Sequence, residues 1–229
     1  MNDLFALLLI PARGGSKGIP RKNLIDIGGK PLLAWSIDSA FQCSLPHLVA
    51  VSTDDEEIGS IADSLGAKFI KRPEYLATDA SVTEETMSHC LGALIVQHSF
   101  SHIVLLQPTC PIRRHHLLDQ AFDQLLSDNS DSLVGVIRES PFMWSGPLSQ
   151  GTPKYDVANR LMRQSFLEEN FYYRETGNLY ITSVDAFMKS GIRVSGKTSL
   201  FLLNEDEAID IDTLEDVARA SVILKGPKS

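Results

Sequence analysis

The chain has 229 residues, of which 43% are hydrophobic and 22% charged, a composition that is typical of a folded globular protein and excludes a disordered one. Its 21 basic and 29 acidic side chains give a net charge of −8, so we expect no nucleic-acid partner. No apolar run approaches the roughly 20 residues of a membrane-spanning helix, so we expect no membrane association.

Residues 4–10 are apolar like the core of a signal peptide, but they lack a basic leader and run directly into a glycine-rich segment. We therefore predict a strand there and no targeting segment. The three cysteines, Cys43, Cys90 and Cys110, have neither metal-ligand nor disulfide spacing. A reducing cytoplasm is the expected location, and Cys110 is interpreted as a buried or spectator thiol.

Apolar runs and helical spacing alternate along most of the chain. Strands are predicted at residues 4–10, 47–52, 68–71, 102–107, 132–137 and 201–203, and helices at 31–41, 56–65, 83–98, 115–126 and 213–224. The helix at 83–98 has its apolar positions at Met87, Leu91, Leu94 and Ile95. This order predicts an α/β fold, a mostly parallel sheet with helices on both faces, within a single domain at 1–229.

The alternation is lost between about residue 139 and residue 189, where aromatic side chains concentrate. Two interpretations stay open. The segment is either an inserted subdomain with its own small core, or a surface that packs against a second subunit.

A glycine-rich, basic segment follows the first predicted strand. Residues 11–24 read Pro-Ala-Arg-Gly-Gly-Ser-Lys-Gly-Ile-Pro-Arg-Lys-Asn-Leu. Glycines let backbone N–H groups approach an anion, and Arg13, Lys17 and Lys22 can neutralise phosphate oxygens. Ligands of parallel sheets bind at the carboxyl ends of the strands, which is where this loop begins. The spacing fits neither a dinucleotide fingerprint nor a P-loop, and the alternative is a solvated basic loop.

Asp210 and Asp212 form a second candidate site. On a strand, residues separated by one position face the same side, so both carboxylates would share one space. Two carboxylates and phosphate oxygens are a usual set of Mg²⁺ ligands. The alternative for Asp212 is that it caps a helix, with Glu215 completing a capping box, although this leaves Asp210 unexplained.

Residues 10–24 closely resemble the N-terminal signature of the acylneuraminate cytidylyltransferases, which make CMP-sialic acid and related CMP-sugars. The related CMP-KDO synthetases diverge within residues 14–23. Further resemblances, in the family's order, lie at residues 28–32, 51–54, 72–74, 76–79, 106–113 and 209–213. The resemblance implies a Rossmann-like fold of the nucleotidyltransferase type, a dimerisation subdomain at about 139–189, a homodimer, and Mg²⁺ on Asp210 and Asp212.

The resemblance also implies roles for single residues. Those assigned to the triphosphate of CTP are Arg13, Gly14, Ser16, Lys17 and Lys22, of which Arg13, Lys17 and Lys22 are also the catalytic candidates. Asn23 would contact the cytidine, and Arg72 and Thr83 would read the cytosine. Those assigned to the acidic sugar are Gln107, Arg163, Arg174 and Tyr180. For Arg174 the alternative is a salt bridge to Glu175 or Glu168.

The implied reaction joins CTP to a nine-carbon α-keto acid of the sialic acid type and releases pyrophosphate. Thr176 and Asn178 depart from the pattern of the sialic acid enzymes, so the identity of the sugar stays open. Two alternatives remain: a KDO-type or other sugar nucleotidyltransferase, and a CTP-binding homologue without turnover.

Overall fold

The computed structural model describes residues 4–226, so the extreme ends of the predicted domain at 1–229 lie outside the described residues. Within this range, no helix is both long and apolar enough to cross a membrane.

Seven strands form one central sheet. They are β1 (Ala6–Pro11), β2 (His47–Thr53), β3 (Lys68–Lys71), β4 (His102–Leu105), β5 (Ser132–Glu139), β6 (Tyr172–Ser183) and β7 (Thr198–Leu202). Their order across the sheet is β7-β5-β6-β4-β1-β2-β3. All pairings are parallel except the two made by β6, so the predicted mostly parallel sheet is confirmed.

Helices cover both faces of the sheet. They are α1 (Leu32–Phe41), α2 (Glu56–Ser64), α3 (Thr83–Leu94), α4 (Leu117–Ser127), α5 (Val184–Ser190) and α6 (Leu214–Lys225). Strand β1 is buried from Ala6 to Ile10, with Leu8 and Ile10 packed in the core layer of α1, α2 and α4. Leu7 and Leu9 point to the opposite layer, which α3 and α5 complete. A continuous apolar run therefore reflects burial on two faces.

Helix α3 is shorter than predicted. Met87, Leu91 and Leu94 are buried as expected, but the helix ends at Leu94 and the side chain of Ile95 is 46% exposed. The backbone N–H groups of Gln97 and His98 both donate to the carbonyl of Leu94, which turns the chain out of the helix. The predicted helix end at residue 98 was therefore wrong, since the chain leaves the helix after Leu94.

Strand β6 occupies a place in the sheet that the sequence did not predict. Its residues lie within the segment at 139–189, yet they form a strand between β5 and β4. Within that segment, residues 140–171 and the part of α5 up to residue 189 lie outside the central sheet, and residues 140–171 include a small hairpin that pairs Trp144–Ser145 with Thr152–Pro153. The register of the pairing between β6 and β5 shifts between Glu175 and Tyr180. Polar residues at this irregularity interrupt the alternation of apolar residues, so the sequence pattern did not predict a strand.

The acidic segment before α6 is not part of a sheet, so the strand geometry assumed for Asp210 and Asp212 was wrong. Its alternation nevertheless holds: Ile209 and Ile211 are buried, whereas Asp210 and Asp212 are exposed. The residue that caps α6 is Thr213, whose hydroxyl accepts from the N–H of Asp216. The alternative in which Asp212 caps this helix with Glu215 is therefore wrong.

Candidate active site

A cleft of about 430 Å³ opens at the carboxyl ends of β1 and β4. Nine of the fourteen residues singled out from the sequence line it: Arg13, Ser16, Lys17, Lys22, Asn23, Arg72, Thr83, Gln107 and Asp212. Five do not line it: Gly14, Arg163, Arg174, Tyr180 and Asp210. The cleft thus collects side chains from segments far apart in sequence, because parallel strands end at the same edge of a sheet.

The loop between β1 and Lys22 is fixed by hydrogen bonds to its neighbours. The side-chain amide of Asn23, which is buried, donates to the carbonyl of Arg13 over 3.0 Å. The N–H of Gly14 donates to a carboxylate oxygen of Asp54 over 2.9 Å. Gly14 therefore supports the loop from behind the cleft, and its N–H is engaged within the protein.

Two of the cleft's cations share one carboxylate. Arg13 and Lys17 contact the two oxygens of Asp79 at 2.8 Å and 2.6 Å. Hydrogen bonds from Lys17 and Arg13 hold the pKa of Asp79 below its usual value. Asp79 received no role from the sequence, although residues 76–79 carry part of the resemblance. The sequence did offer one indication of a role for Asp79: it is an acidic residue within residues 76–79, a segment that matches the family but received no assigned function.

Lys22 connects the basic loop to the acidic segment. Its ammonium group lies 2.8 Å from a carboxylate oxygen of Asp212 and also donates to the carbonyl of Ile211. Only 12% of the Lys22 side chain is exposed, against 73% for Asp212. A Cβ on Gly18 would lie 3.0 Å from the carbonyl oxygen of Asp212, so the two segments also approach closely along their backbones.

Arg72 is held rigidly at one wall of the cleft. Its Nε donates to the hydroxyl of Ser52 over 3.1 Å, and its Nη2 donates to the Ser52 carbonyl over 2.6 Å. Burial lowers the pKa of Arg72, an effect that Cys90 and Asp54 oppose. Thr83 begins α3 and lines the same cleft. A fixed donor fork and a hydroxyl therefore lie where a polar ring edge can be bound.

The remaining predicted sugar residues lie away from this cleft within the single chain. Arg174 donates to Glu139 over 2.8 Å, so its expected alternative partners Glu175 and Glu168 were wrong. Tyr180 is buried in the core layer of α3 and donates to Glu175, and burial raises its pKa. Arg163 lies exposed in a short turn at Arg163–Ser165.

The donor set around the acidic segment suits a shared metal ion. Within residues 4–226, no group of three or more His, Cys, Asp or Glu side chains is placed to hold a metal. Asp210 and Asp212 thus offer two carboxylates, and Mg²⁺ commonly combines one or two carboxylates with substrate phosphates.

The Cys110 thiol has a raised pKa. Burial is the main cause and the charge of Asp210 the next, and together they raise the pKa to about 12, so the thiol is protonated at neutral pH.

This α/β fold is shared with nucleotidyltransferases of known structure. A solved CMP-2-keto-3-deoxy-manno-octonic acid synthetase in complex with CTP has the same fold, with a TM-score of 0.67 at 17% identity over 96% of this chain and 98% of that one. A 4-diphosphocytidyl-2C-methyl-D-erythritol synthase from Anaerococcus prevotii superposes with a TM-score of 0.69 at 12% identity, covering 98% of this chain and 100% of that one.

More specifically, the chain belongs to the cytidylyltransferase family, whose sequence model matches residues 7–180. It is 30% identical over 223 residues to the pseudaminic acid cytidylyltransferase of Campylobacter jejuni, covering 96% of each chain. It is 33% identical to the CMP-N,N'-diacetyllegionaminic acid synthase of Legionella pneumophila, again over 96% of each. The N-acylneuraminate cytidylyltransferase of Escherichia coli is 32% identical over a region that covers 95% of this chain and 51% of that protein.

Two neighbouring glycines of the basic loop provide a matched pair of substitutions. A Cβ on Gly14 would lie 2.9 Å from Asp55, which accepts from the N–H groups of Glu57 and Ile58 at the start of α2. A Cβ on Gly15 would have nothing within 4 Å. We expect Gly14→Ala to lower the free energy of unfolding by about 1–3 kcal/mol through overpacking, and Gly15→Ala to change it by less than about 0.5 kcal/mol. Urea denaturation without nucleotide measures the free energy of unfolding of both variants. Equal losses in the two variants would contradict the close packing of Gly14 against Asp55.

Proposed function

We propose that this cytidylyltransferase joins CTP to an acidic nine-carbon α-keto sugar of the sialic acid type and releases pyrophosphate. The observation that carries the proposal is the cleft itself, in which Arg13, Lys17 and Lys22 surround the space next to Asp212. Relatives named for pseudaminic, legionaminic and N-acylneuraminic acids, each about 30% identical to this chain, support the class of sugar.

In the proposed reaction, the anomeric hydroxyl of the sugar attacks the α-phosphorus of CTP and releases its proton to solvent, while the bond to pyrophosphate breaks and pyrophosphate leaves on the opposite side. The protein aligns the two reactants and offsets negative charge, which is the main requirement of phosphoryl transfer. Arg13, Lys17 and Lys22 bind the triphosphate and stabilise the charge that develops on the leaving pyrophosphate. The phosphates compete with Asp79 for Arg13 and Lys17, since the carboxylate and the phosphate oxygens require the same donors.

The other end of the nucleotide meets neutral and cationic donors. A cytosine edge carries both donors and acceptors, which the Arg72 guanidinium and the Thr83 hydroxyl complement. Because Ser52 already holds Arg72, little side-chain entropy is lost when the base binds. Gln107 lines the same cleft at the end of β4 and is assigned to the sugar.

Asp210 and Asp212 are proposed to hold Mg²⁺ together with phosphate oxygens of the substrate. Asp212 lines the cleft, and both carboxylates are exposed on either side of the buried Ile211. When bound, the ion would neutralise phosphate charge and polarise the attacking hydroxyl. Lys22 lies against Asp212 and would keep that carboxylate oriented toward the cleft.

A homodimer in the cytoplasm is proposed as the working state. Residues 140–171 expose several large apolar side chains, including Trp144 at 56%, Met162 at 66% and Leu167 at 62%. Large apolar side chains exposed along one segment favour an interface with another chain. Arg163 belongs to the same segment, so a dimer would allow Arg163 to reach a sugar site.

The cytoplasmic location is supported by the cysteines. All three are free and buried, in keeping with a reducing compartment.

A substrate panel tests the proposed reaction. Pyrophosphate release is measured with CTP, UTP, ATP and GTP, each paired with nonulosonic acids and with the eight-carbon acid KDO. We expect release with CTP and one or more nine-carbon acids. Preference for KDO would support the eight-carbon alternative, and CTP binding without release with any acid would identify a homologue that lacks turnover.

Lys22→Ala tests the cationic cleft. We expect a loss of about a hundredfold or more in kcat, because a charge-stabilising donor is removed from the leaving group. Lys30→Ala is the matched control, since Lys30 belongs to the same basic stretch but pairs with Asp38 and lies over the ring of Trp35. Wild-type turnover in the Lys22 variant, with pyrophosphate release as the measurement, would remove it from the mechanism.

Asp210→Asn tests the proposed metal ligand. We expect the magnesium concentration that gives half-maximal activity to rise by about tenfold or more, because one of two carboxylates is lost. Asp206→Asn serves as the control, since Asp206 lies in the preceding turn and contacts only Arg219 among charged side chains of residues 4–226. An unchanged magnesium response in the Asp210 variant would show that this residue does not bind the ion.

A further inference from the structure

Arg113 stands out because its charge has no carboxylate partner within residues 4–226. Its guanidinium contacts three neutral acceptors: Nη1 donates to the hydroxyl of Ser36, and Nη2 donates to the carbonyls of Gln107 and Asn178. Its Nε is buried and has no hydrogen-bond partner among the residues that the structure describes. A partly buried cation that forms no ion pair is costly to maintain, which suggests that it is retained for another purpose.

One acceptor of Arg113 belongs to a residue of the cleft. Gln107 lines the cleft, whereas Arg113 is not among the residues that line it. The carbonyls of Gln107 and Asn178 belong to different elements, the end of β4 and strand β6, and lie 3.1 Å and 2.9 Å from the same nitrogen. A planar guanidinium is suited to fixing acceptors on separate elements, because its donors point in set directions.

Gly177 also limits the position of the Gln107 side chain. A Cβ at residue 177 would lie 2.1 Å from the side-chain oxygen of Gln107, so only glycine leaves room for that amide. This contact lies at the register shift of β6, beside Asn178, whose carbonyl Arg113 binds. Arg113 therefore fixes the backbone of Gln107 and of the β6 segment against which its side chain rests.

We propose that Arg113 is a positioning residue, which sets the orientation of the Gln107 amide toward the acidic sugar without itself contacting substrate. The inference rests on the proposed function in that it takes Gln107 as a sugar contact. It predicts an effect confined to the sugar, since Arg13, Lys22 and Arg72 are held by other partners.

A double-substitution experiment tests this role. Arg113→Lys keeps the charge but loses the fork, and we expect the KM for the sugar to rise about tenfold while the KM for CTP changes less than twofold. In a Gln107→Ala background the same substitution should have no further effect, because its only route to the sugar is gone. Arg138→Lys, an exposed arginine on β5 paired with Glu168, is the control. Additive losses, or an equal rise in both KM values, would overturn the proposal.

A second measurement does not need turnover. In protein labelled with ¹⁵N-glutamine, the side-chain amide signal of Gln107 is identified by its disappearance in Gln107→Ala. We expect Arg113→Lys to shift that signal, and an unmoved signal overturns the positioning role. If no acid is turned over but the signal shifts, the proposed function fails and the positioning role stands. If Arg113→Lys does not fold, Ser36→Ala replaces it and is judged by the same signal, because it removes an acceptor of the same guanidinium.

Discussion

The ammonium group of Lys22 joins two segments that are almost two hundred positions apart in the chain. It contacts both the backbone and the side chain of the acidic segment, at Ile211 and Asp212, and it is mostly shielded from water. The electrostatic attraction within a partly buried ion pair is stronger than within an exposed one, because less water screens the two charges. Lys22 therefore helps to set the distance between the glycine-rich loop and the carboxylates, together with the close backbone approach of Gly18 to Asp212.

The acidic segment can serve as a partner for Lys22 because it is itself anchored. Glu207 is almost fully buried, accepts from the N–H groups of Arg114 and Asn204, and forms an ion pair with the Arg114 side chain. The amide of Asn178 donates to the carbonyl of Glu207 over 2.7 Å. A few residues later, the N–H of Ile211 donates to the carbonyl of Thr109 over 2.8 Å. The turn at Glu205–Ala208 is thus held against the loop that follows β4.

The parts of this architecture that the sequence predicted are those governed by local pattern. The apolar runs identified β1 and β2, and the glycine-rich loop lies at the carboxyl end of β1, as the parallel order requires. Strand β6 was missed because Thr176, Gly177 and Asn178 interrupt its apolar pattern, and their role is seen only once their neighbours in space are known. Buried polar residues that serve distant partners leave no periodic signal.

The partners of charged side chains were predicted least well. Arg174 pairs with Glu139 across neighbouring strands, a contact that depends on the register between β5 and β6. Asp79 was assigned no role because its cations lie more than sixty positions earlier in the chain. Long charged side chains form ion pairs with residues that the fold places nearby. Their partners therefore depend on the topology of the fold and cannot be predicted from the spacing of residues in the sequence.

The central place of β6 also bears on how the molecule is built. Strands β1 to β4 are synthesised first and can pair as a parallel unit, but one side of β4 lacks its neighbour until residue 183 has been made. Strand β5 waits for the same partner, because β7 comes later still. During synthesis the nascent chain therefore carries an open strand edge while some eighty residues are added, and such edges can pair with another unfinished chain. The arrangement that closes the mature sheet thus creates a period of vulnerability to aggregation on the ribosome.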